Sequence, residues 1–436
     1  MKRYSEYKDS GVKWIGEIPV HWKMPRLKML TSFHNGDRSV NYPSGDDFVD
    51  DGIPFCGADS LCGLYVDLNY ARFITDKKYK LLGGFKIRKN DILYTLRGST
   101  IGKNAMALFS EGTVASSLMG IRKTTNRLIS NYLLYTLNSI CEENQRNVLI
   151  NGSTAPNLSA EDVGIFFIPL PPLPEQEAIV TYLDSKVAKI DEYISIAEKK
   201  IAALEELKQT IIAEAVTRGI HKDVPMKDSG VKWIGMIPEH WNTPRIKSVA
   251  IFNPSKSTNN YQKVGYAPMD CIRCGNITAG IIDYKKLPTG LTYFENEDIV
   301  VAKVTPCFEN GNIAIAKNLH NGCAYGSSEL FVFRCYGVEN RYLFYYMQDE
   351  KFKHKCCSTM TGTGGLKRIS SSFIRNAFIP LPPLSEQQEI VTYLDSKVAN
   401  INQLCQAERS QIEKLKEYKQ RLISDVVTGK VKVTND

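Results

Sequence analysis

The sequence of 436 residues lacks an apolar run long enough to cross a membrane. The apolar run 163–174 has only 12 residues, four of them proline, whereas a membrane helix needs roughly 20 apolar residues. The first 14 residues are polar and charged, unlike the apolar core of a secretory signal. The 11 cysteines are an odd number in a long chain, which disfavours a secreted disulfide scaffold. We therefore expect a reduced, soluble, cytoplasmic protein.

Motifs of known catalytic chemistry are also absent. Neither G-x-x-x-x-G-K-[ST], nor H-E-x-x-H, nor G-x-S-x-G occurs in the sequence. The six histidines are too scattered to nominate an acid–base group. Cys271 and Cys274 have a spacing compatible with zinc, but the first half of the chain has no counterpart. We predict no catalytic, cofactor-binding or metal-binding residues in this chain.

Positive charge is in excess and is unevenly distributed. The chain has 55 lysines and arginines against 47 acidic residues, a net charge of +8. The segments Glu175–Thr217 and Glu386–Thr428 together carry −5, so the remaining 350 residues carry about +13. Such a concentration of positive charge is typical of proteins that bind nucleic acid.

The chain contains an internal repeat in two parts. Asp9–Arg26 and Asp228–Arg245 are identical at 14 of 18 positions, and Ile168–Ala188 and Ile379–Ala399 at 18 of 21. The inserts between these blocks resemble each other only faintly. This order predicts one frame that occurs twice with two-fold pseudo-symmetry, and two inserts with different tasks.

Each later block predicts the start of a long helix. Its Pro-Pro-Leu sequence favours an extended segment just before the helix, and Gly219 and Gly429 favour the two helix ends. Apolar residues then step by four and three, as in the seam of a coiled coil. The seam positions are Leu183, Val187, Ile190, Ile194, Ala197, Ile201, Leu204, Ile211 and Ala215, then Leu394, Val398, Ile401, Cys405, Ile412, Leu415, Leu422 and Val426. Lys208, Glu408 and Lys419 interrupt them.

Two consequences follow from the repeated frame. Because a globular insert separates the helices, we expect them to pair as an antiparallel coiled coil. The segment after the first helix, 219–241, continues into a copy of the N-terminal segment 8–22, whereas the second helix ends near the C terminus. We therefore expect the two ends of the chain to lie close together.

The inserts combine short alternating β-rich runs with a helical stretch, which predicts small α+β domains. Each has a polar loop in a comparable place, Arg97–Lys103 in the first and Thr305–Asn312 in the second. A second pair, Asn151–Ala155 and Thr361–Arg368, precedes each later block. Any one loop is compatible with a plain hairpin connection. Their pairing across the inserts, and their Lys, Arg, Asn, Ser and Thr residues, favour phosphate and base-edge contacts.

The sequence resembles the specificity subunits of Type I restriction-modification systems. The segments that carry this resemblance are the IPLPPL-x-EQ-x-x-IV-x-YLD blocks at Ile168 and Ile379, the DSGVKWIG blocks at Asp9 and Asp228, and the stretches Thr305–Gly311 and Gly326–Arg334. The resemblance covers essentially the whole chain. The first insert departs from it, because Arg97-Gly-Ser-Thr stands where the second has Thr-Pro-Cys-Phe-Glu-Asn-Gly.

The resemblance implies a non-catalytic subunit that recognises a bipartite, asymmetric site in double-stranded DNA. Each target recognition domain would read one half-site, and the paired helices would set the spacing. Two methyltransferase subunits would dock on the frame, and restriction subunits would join the full complex. S-adenosylmethionine and ATP are then expected on those partner subunits, with no cofactor in this chain.

We predict DNA contacts in the loops of both inserts. The candidates are Arg97, Ser99, Thr100, Lys103, Ser153 and Thr154 in the first, and Lys303, Thr305, Glu309, Asn310, Asn312, Thr363, Lys367 and Arg368 in the second. For Lys367 and Arg368 we expect contacts with phosphate, because they are cations in an exposed polar loop.

The expected architecture is α+β, with two globular target recognition domains separated by two long helices. The predicted segments are an N-terminal repeat at 1–25, the first recognition domain at 26–168, the first spacer helix at 169–219, a linker repeat at 220–244, the second recognition domain at 245–379 and the second spacer helix at 380–436. Two other functions stay open at this point. One is a coiled-coil adaptor that joins protein partners without reading DNA, and the other is an enzyme with its own nuclease or methyltransferase site.

Overall fold

The computed structural model describes residues 2–150, 157–221, 223–256, 261–273, 275–362 and 365–434. The chain divides into two compact units. Unit 1 comprises Met1–Ala197 and Ser410–Asp436, and unit 2 comprises Glu198–Arg409. Among the described residues, no helix is both long enough and apolar enough to span a membrane.

Unit 1 contains the first insert and parts of two long helices. Its strands are β1 (Tyr7–Asp9), β2 (Glu17–Pro19), β3 (Thr31–Asn35), β4 (Phe48–Val49), β5 (Ile53–Cys56), β6 (Leu61–Cys62), β7 (Tyr65–Val66), β8 (Arg72–Ile74), β9 (Ile92–Thr95), β10 (Asn104–Met106), β11 (Thr113–Val114) and β12 (Leu118–Lys123). Its helices are α1 (Asp76–Leu81), α2 (Ser130–Leu137), α3 (Ile140–Ile150) and α4 (Ala160–Gly164), followed by the long helix α5 (Leu173–Arg218), which continues into unit 2.

Unit 2 repeats most of this order, but among its described residues it has no counterpart of α1. Its strands are β13 (Met226–Asp228), β14 (Met236–Pro238), β15 (Ala250–Phe252), β16 (Lys263–Ala267), β17 (Ile272–Arg273), β18 (Asn276–Ile277), β19 (Gly280–Asp283), β20 (Thr292–Glu295), β21 (Ile299–Ala302), β22 (Ile313–Ile315), β23 (Cys323–Gly326) and β24 (Leu330–Cys335). Its helices are α6 (Asn340–Tyr346), α7 (Glu350–Cys357) and α8 (Ser371–Asn376), followed by the long helix α9 (Leu384–Val427), which continues into unit 1.

Both inserts are α+β domains with corresponding central strands. The main sheets have the order β3-β12-β9-β10-β7-β6 in unit 1 and β15-β24-β21-β22 in unit 2. In each, an antiparallel hairpin, β9–β10 or β21–β22, lies beside an antiparallel strand, β12 or β24. Strands β9 and β21 are buried along their whole length. A second sheet follows in each insert, β11-β5-β8-β4 and β19-β16-β23-β20. The predicted α+β class is confirmed.

The two ends of each insert are held together where they leave the frame. In unit 1, Arg26 pairs with Phe167 in an antiparallel β-bridge, and in unit 2 Arg245 pairs with Phe378 in the same way. Each arginine also lies over the ring of its partner, with centroid distances of 5.3 and 4.9 Å. Because each insert starts and ends at one place, its interior can diverge without disturbing the frame.

The two long helices pack antiparallel, as predicted. In unit 2, Lys200 Nζ lies 2.5 Å from Glu408 Oε1, and Lys208 Nζ donates to Asn402 Oδ1 over 3.3 Å. In unit 1, Lys419 donates to both carboxylate oxygens of Asp191, at 2.6 and 2.7 Å. The residues that interrupt the apolar seam in sequence therefore make polar contacts between the helices. The helices end at Arg218 and Val427, shortly before Gly219 and Gly429, which have φ of 77° and 74°, as expected for glycines that follow a helix.

The repeated His-Trp pair attaches the frame to the start of each long helix. The fully buried Trp22 donates from Nε1 to Glu175 Oε2 over 2.9 Å, and Trp241 donates to Glu386 Oε1 over 3.1 Å. The prediction that the chain ends lie close together is also confirmed. Within unit 1, the amide of Lys432 donates to the carbonyl of Lys2 over 3.0 Å.

Candidate nucleic-acid interface

The first candidate loop in unit 1 is the turn between β9 and β10. The amide of Gly102 donates to the Thr95 carbonyl over 3.0 Å, which closes the hairpin. Gly98 and Gly102 both have φ of 87°, a conformation that glycine adopts without strain. The four predicted contacts in this loop, Arg97, Ser99, Thr100 and Lys103, are all exposed. The loop thus presents two cations and two hydroxyl groups to solvent.

Asn157, which follows the second candidate loop of unit 1 in sequence, lies beside the first loop. Arg97 forms a β-bridge with Asn157 and donates from Nε to Asn157 Oδ1 over 3.0 Å. Lys103 Nζ donates to the carbonyl of Ala58 over 3.0 Å, so this ammonium group contacts another segment of the same domain. The predicted contacts Ser153 and Thr154 lie outside the described residues.

A buried polar cluster supports the first loop and has no signal in the sequence. Glu142 on α3 accepts hydrogen bonds from the Tyr94 hydroxyl and, over 3.1 Å, from Arg146 Nε. Burial raises the pKa of Glu142 to about 7, although the hydrogen bond from Tyr94 opposes this change. A Cβ at Gly102 would lie 2.3 Å from Arg146 Nε. The glycine therefore allows the loop to lie directly on this arginine.

In unit 2 the structure brings the two candidate loops together. The Thr305 amide donates to the Lys367 carbonyl over 3.0 Å, and Thr305 Oγ1 accepts from the Lys367 amide over 2.9 Å. Val304 and Arg368 form a β-bridge. Residues that are about 60 positions apart in sequence thus share one surface. The predicted contact Thr363 lies outside the described residues.

The three cations of this surface have different surroundings. Lys303 Nζ donates to the carbonyl of Ser328 over 2.7 Å. Arg368 donates from Nε and Nη2 to the two carboxylate oxygens of Glu329, at 2.8 and 3.0 Å. This contact lowers the pKa of Glu329. Lys367 is exposed and has no ion-pair partner within the described ranges, so it is the cation best placed for an outside phosphate.

The remaining predicted residues of unit 2, Glu309, Asn310 and Asn312, surround a different feature. They line a polar cavity of about 440 Å³ that also includes Lys208 of α5 and Asn402 of α9. Glu309 and Asn310 are exposed and Asn312 is half-buried. The predicted residues of unit 2 therefore fall into two groups, one around Thr305 and one beside the long helices.

The two units share the backbone on which the loops are built. In unit 1, the amide of Leu96 donates to the Ser117 carbonyl over 2.8 Å, and its carbonyl accepts from Leu158 over 2.9 Å. In unit 2, Lys303 makes the same two contacts, with Glu329 at 3.0 Å and Ile369 at 2.9 Å. We call these three joined segments the loop platform: residues 96–97, 117 and 157–158 in unit 1, and residues 303–304, 329 and 368–369 in unit 2.

An ion pair at the start of β9 and of β21 is common to both units. Arg122 donates from Nε and Nη2 to Asp91, and Arg334 donates in the same way to Asp298. The distances from Nη2 to Oδ2 are 2.6 and 2.7 Å. Both aspartates are almost fully buried, so these pairs belong to the scaffold. In the part of the chain that the structure describes, no group of three or more His, Cys, Asp or Glu side chains is arranged to hold a metal ion.

Comparison with known proteins gives a consistent assignment. The family described as "Type I restriction modification DNA specificity domain" matches residues 19–206 and 238–414. The putative Type I restriction enzyme MjaX specificity subunit of Methanocaldococcus jannaschii is 25% identical over 454 residues, which cover 98% of each chain. The EcoAI specificity subunit of Escherichia coli is 32% identical over 231 residues, which cover 51% of this chain and 38% of that protein.

A solved structure shares the fold over nearly the whole chain. It comes from a study of complex assembly and conformational transition of the type I R-M system, and one of its chains gives a TM-score of 0.70. The alignment covers 95% of this chain and 99% of that chain at 18% identity.

The repeated units, with their paired loops on a common scaffold, define a duplicated DNA-specificity protein. The chain belongs to the family of Type I restriction-modification specificity subunits. Its role is DNA target recognition, and it is a non-catalytic member of its system, which confirms the function that the resemblance implied.

Proposed function

We propose that the two units read the two halves of a split, asymmetric DNA sequence. Residues 26–168 and 245–379 are the proposed target recognition domains. The observation that carries this proposal is the loop platform, whose backbone contacts recur in both units while its side chains differ. The same backbone contacts would place the loops of both units alike on DNA, and their different side chains would contact different base edges.

The charges around the platforms support DNA as the ligand. Arg97 and Lys103 in unit 1, and Lys367 in unit 2, are exposed cations on loops. Phosphate contacts position a protein on DNA, and contacts with base edges provide the sequence specificity. The hydroxyl groups of Ser99 and Thr100 can both donate and accept hydrogen bonds.

Partner subunits follow from the repeated frame. We infer that two methyltransferase subunits bind it, because the frame presents the same sequence blocks twice. Restriction subunits would join the larger complex, in line with the R-M assembly from which the solved chain of similar fold comes. S-adenosylmethionine and ATP would bind to those partners.

The helix pair is proposed to fix the number of unread base pairs between the half-sites. Helix α5 has 46 residues, about 69 Å at 1.5 Å per residue. An insertion of four residues, about one turn, within Ala202–Leu207 should lengthen the unread spacer and leave both half-sites unchanged. Unchanged spacing in the methylated sequence would contradict the spacer role.

The direct test is to map modified adenines by single-molecule sequencing in cells that express this chain with its methyltransferase partner. We expect a split sequence with two unlike halves and a methylated adenine in each. If an active, assembled complex methylates no specific sequence, the proposal is wrong. DNA binding that is absent or insensitive to salt would then favour the protein adaptor, since phosphate contacts make affinity fall steeply with salt.

A further inference from the structure

One arginine in each loop platform is fixed by a neighbouring side chain. In unit 1 the arginine is Arg97, and Asn157 on the adjacent segment accepts from its Nε over 3.0 Å. In unit 2 the arginine is Arg368, whose Nε and Nη2 donate to Glu329 at 2.8 and 3.0 Å. The edge of each guanidinium that carries the Nε hydrogen thus donates to a residue from another segment of the platform.

The two arginines occupy non-equivalent positions on the equivalent backbones of the two platforms. The β-bridges Arg97–Asn157 and Val304–Arg368 are equivalent, so the arginine of unit 2 stands where unit 1 has Asn157. Its acceptor, Glu329, stands where unit 1 has Ser117, because both carbonyls accept from the equivalent amides of Lys303 and Leu96. The platform therefore places an oriented arginine at two different points in the two units.

The free edge of each guanidinium determines what it can bind. Arginine has five N–H donors in a planar fork. When Nε is engaged, the edge formed by Nη1 and Nη2 still points away and has two parallel donors, which match O6 and N7 of guanine in the major groove. Arg368 contacts Glu329 through Nε and Nη2, and 48% of its side chain is exposed to solvent.

The neighbour of Arg368 also argues against a phosphate contact. The Glu329 carboxylate lies 2.8 Å from Arg368, and its negative charge would repel a phosphate brought to the same guanidinium. A guanine presents no net charge, so the ion pair can stay intact while the arginine binds the base. This interpretation differs from the phosphate contact that the sequence suggested for Arg368.

We propose that Arg97 and Arg368 each read a guanine, one in each half-site, and that Asn157 and Glu329 are positioning residues that hold the two forks. The inference rests on the proposed function. It adds the base that is read and the residues that read it.

The test compares the methylated sequences produced by the assembled complex with wild-type chain, Arg368→Ala, Arg368→Lys and Arg97→Ala. We expect a guanine in each wild-type half-site. Arg368→Ala should reduce the preference for the guanine of the second half-site by roughly 5- to 150-fold and leave the first half-site unchanged. Arg97→Ala should do the reverse.

Arg368→Lys separates base reading from phosphate binding. Lysine keeps the charge but lacks the fork, so the guanine preference should fall although phosphate attraction is retained. Glu329→Gln should weaken the same preference without affecting other positions. Uniform weakening with every base preference intact, or a wild-type half-site without guanine, would overturn the inference while leaving a split site in place. A complete lack of sequence-specific methylation would instead contradict the proposed function.

Discussion

Units 1 and 2 are the same in their frames and different in their loops. Tyr132 donates to the carbonyls of Pro169 and Val427 at 2.7 and 3.1 Å. Its counterpart Tyr342 donates to those of Pro380 and Val216 at 2.8 and 3.1 Å. These hydroxyls join each insert to the start of one long helix and the end of the other. The contacts that hold an insert in place have therefore been kept on duplication.

The contacts that support the loops differ between the units. Unit 1 places the buried Glu142 and the half-buried Arg146 beside its loop, whereas unit 2 has a polar cavity beside Glu309 and Asn312. The two units therefore carry differently supported loops on a common scaffold.

The largest effect is expected at the ion pair common to both units. Asp91→Ala should lower the free energy of unfolding by about 3 kcal/mol, because Arg122 loses its buried partner. Asp298→Ala should have a somewhat smaller effect, because Arg334 keeps its contact with Glu295 at 3.0 Å. Urea unfolding of each variant measures this. Asp76→Ala is the control, since Asp76 and Lys80 are both mostly exposed and such pairs contribute little to stability. A large loss in only one unit would show that the two scaffolds are not equivalent.

The next effect is confined to unit 1 and depends on pH. Because the pKa of Glu142 is raised to about 7 by burial, the folded state binds more protons than the unfolded state between about pH 4.5 and 7. Glu142 therefore contributes stability below this range and loses it as the pH rises through 7. The stability of the wild type relative to Glu142→Gln should fall by roughly 3 kcal/mol over that interval.

Thermal unfolding of both proteins from pH 5 to pH 8 measures this difference. The melting temperature of the wild type should decrease relative to that of Glu142→Gln as the pH increases from 5 to 8. Parallel curves over the whole range would show that Glu142 is already ionised in the folded protein.

A smaller effect is expected at Lys367. Lys367→Ala should weaken DNA binding several-fold for all sequences and reduce the salt slope of log K by about one, as for the loss of a single phosphate contact. The control is Lys317→Ala, which removes an exposed lysine beyond the opposite end of the β21–β22 hairpin. A change in preference at one base position would assign Lys367 to base reading.

The smallest effect is expected in the helix seam. Lys419→Leu should change the free energy of unfolding by less than about 1 kcal/mol. The lost contact with Asp191 is offset by an apolar residue at a seam position, and Asp191 is 49% exposed and can be solvated. A loss of several kcal/mol in urea unfolding would mean that the polar contacts, rather than the apolar seam, hold the helices together.

The sequence predicted the features that depend on local order. The heptad steps, the Pro-Pro-Leu starts and the glycines at 219 and 429 define the long helices, because each is set by residues within a few turns. The repeat itself indicated that the inserts differ in task and that the ends of the chain meet.

Contacts between distant segments could not be predicted in this way. Glu329 and Arg368 are 39 residues apart, and Tyr94 and Glu142 are 48 apart, so no spacing rule connects them. Lys208 and Lys419 interrupt the seam in sequence, yet each contacts the opposite helix, because a long side chain can reach across it. Their partners depend on the alignment of two helices, which periodicity does not fix.

Each insert is proposed to read its own half-site from a common frame. This is tested by measuring adenine methylation by a complex in which residues 246–378 are replaced by a copy of residues 27–167, joined to Arg245 at one end and to Ile379 at the other, so that Arg245 faces the copy of Phe167. We expect the methylated sequence to change from two unlike halves to two identical ones, both equal to the half-site read by unit 1. Retention of the wild-type pair of unlike halves would contradict it.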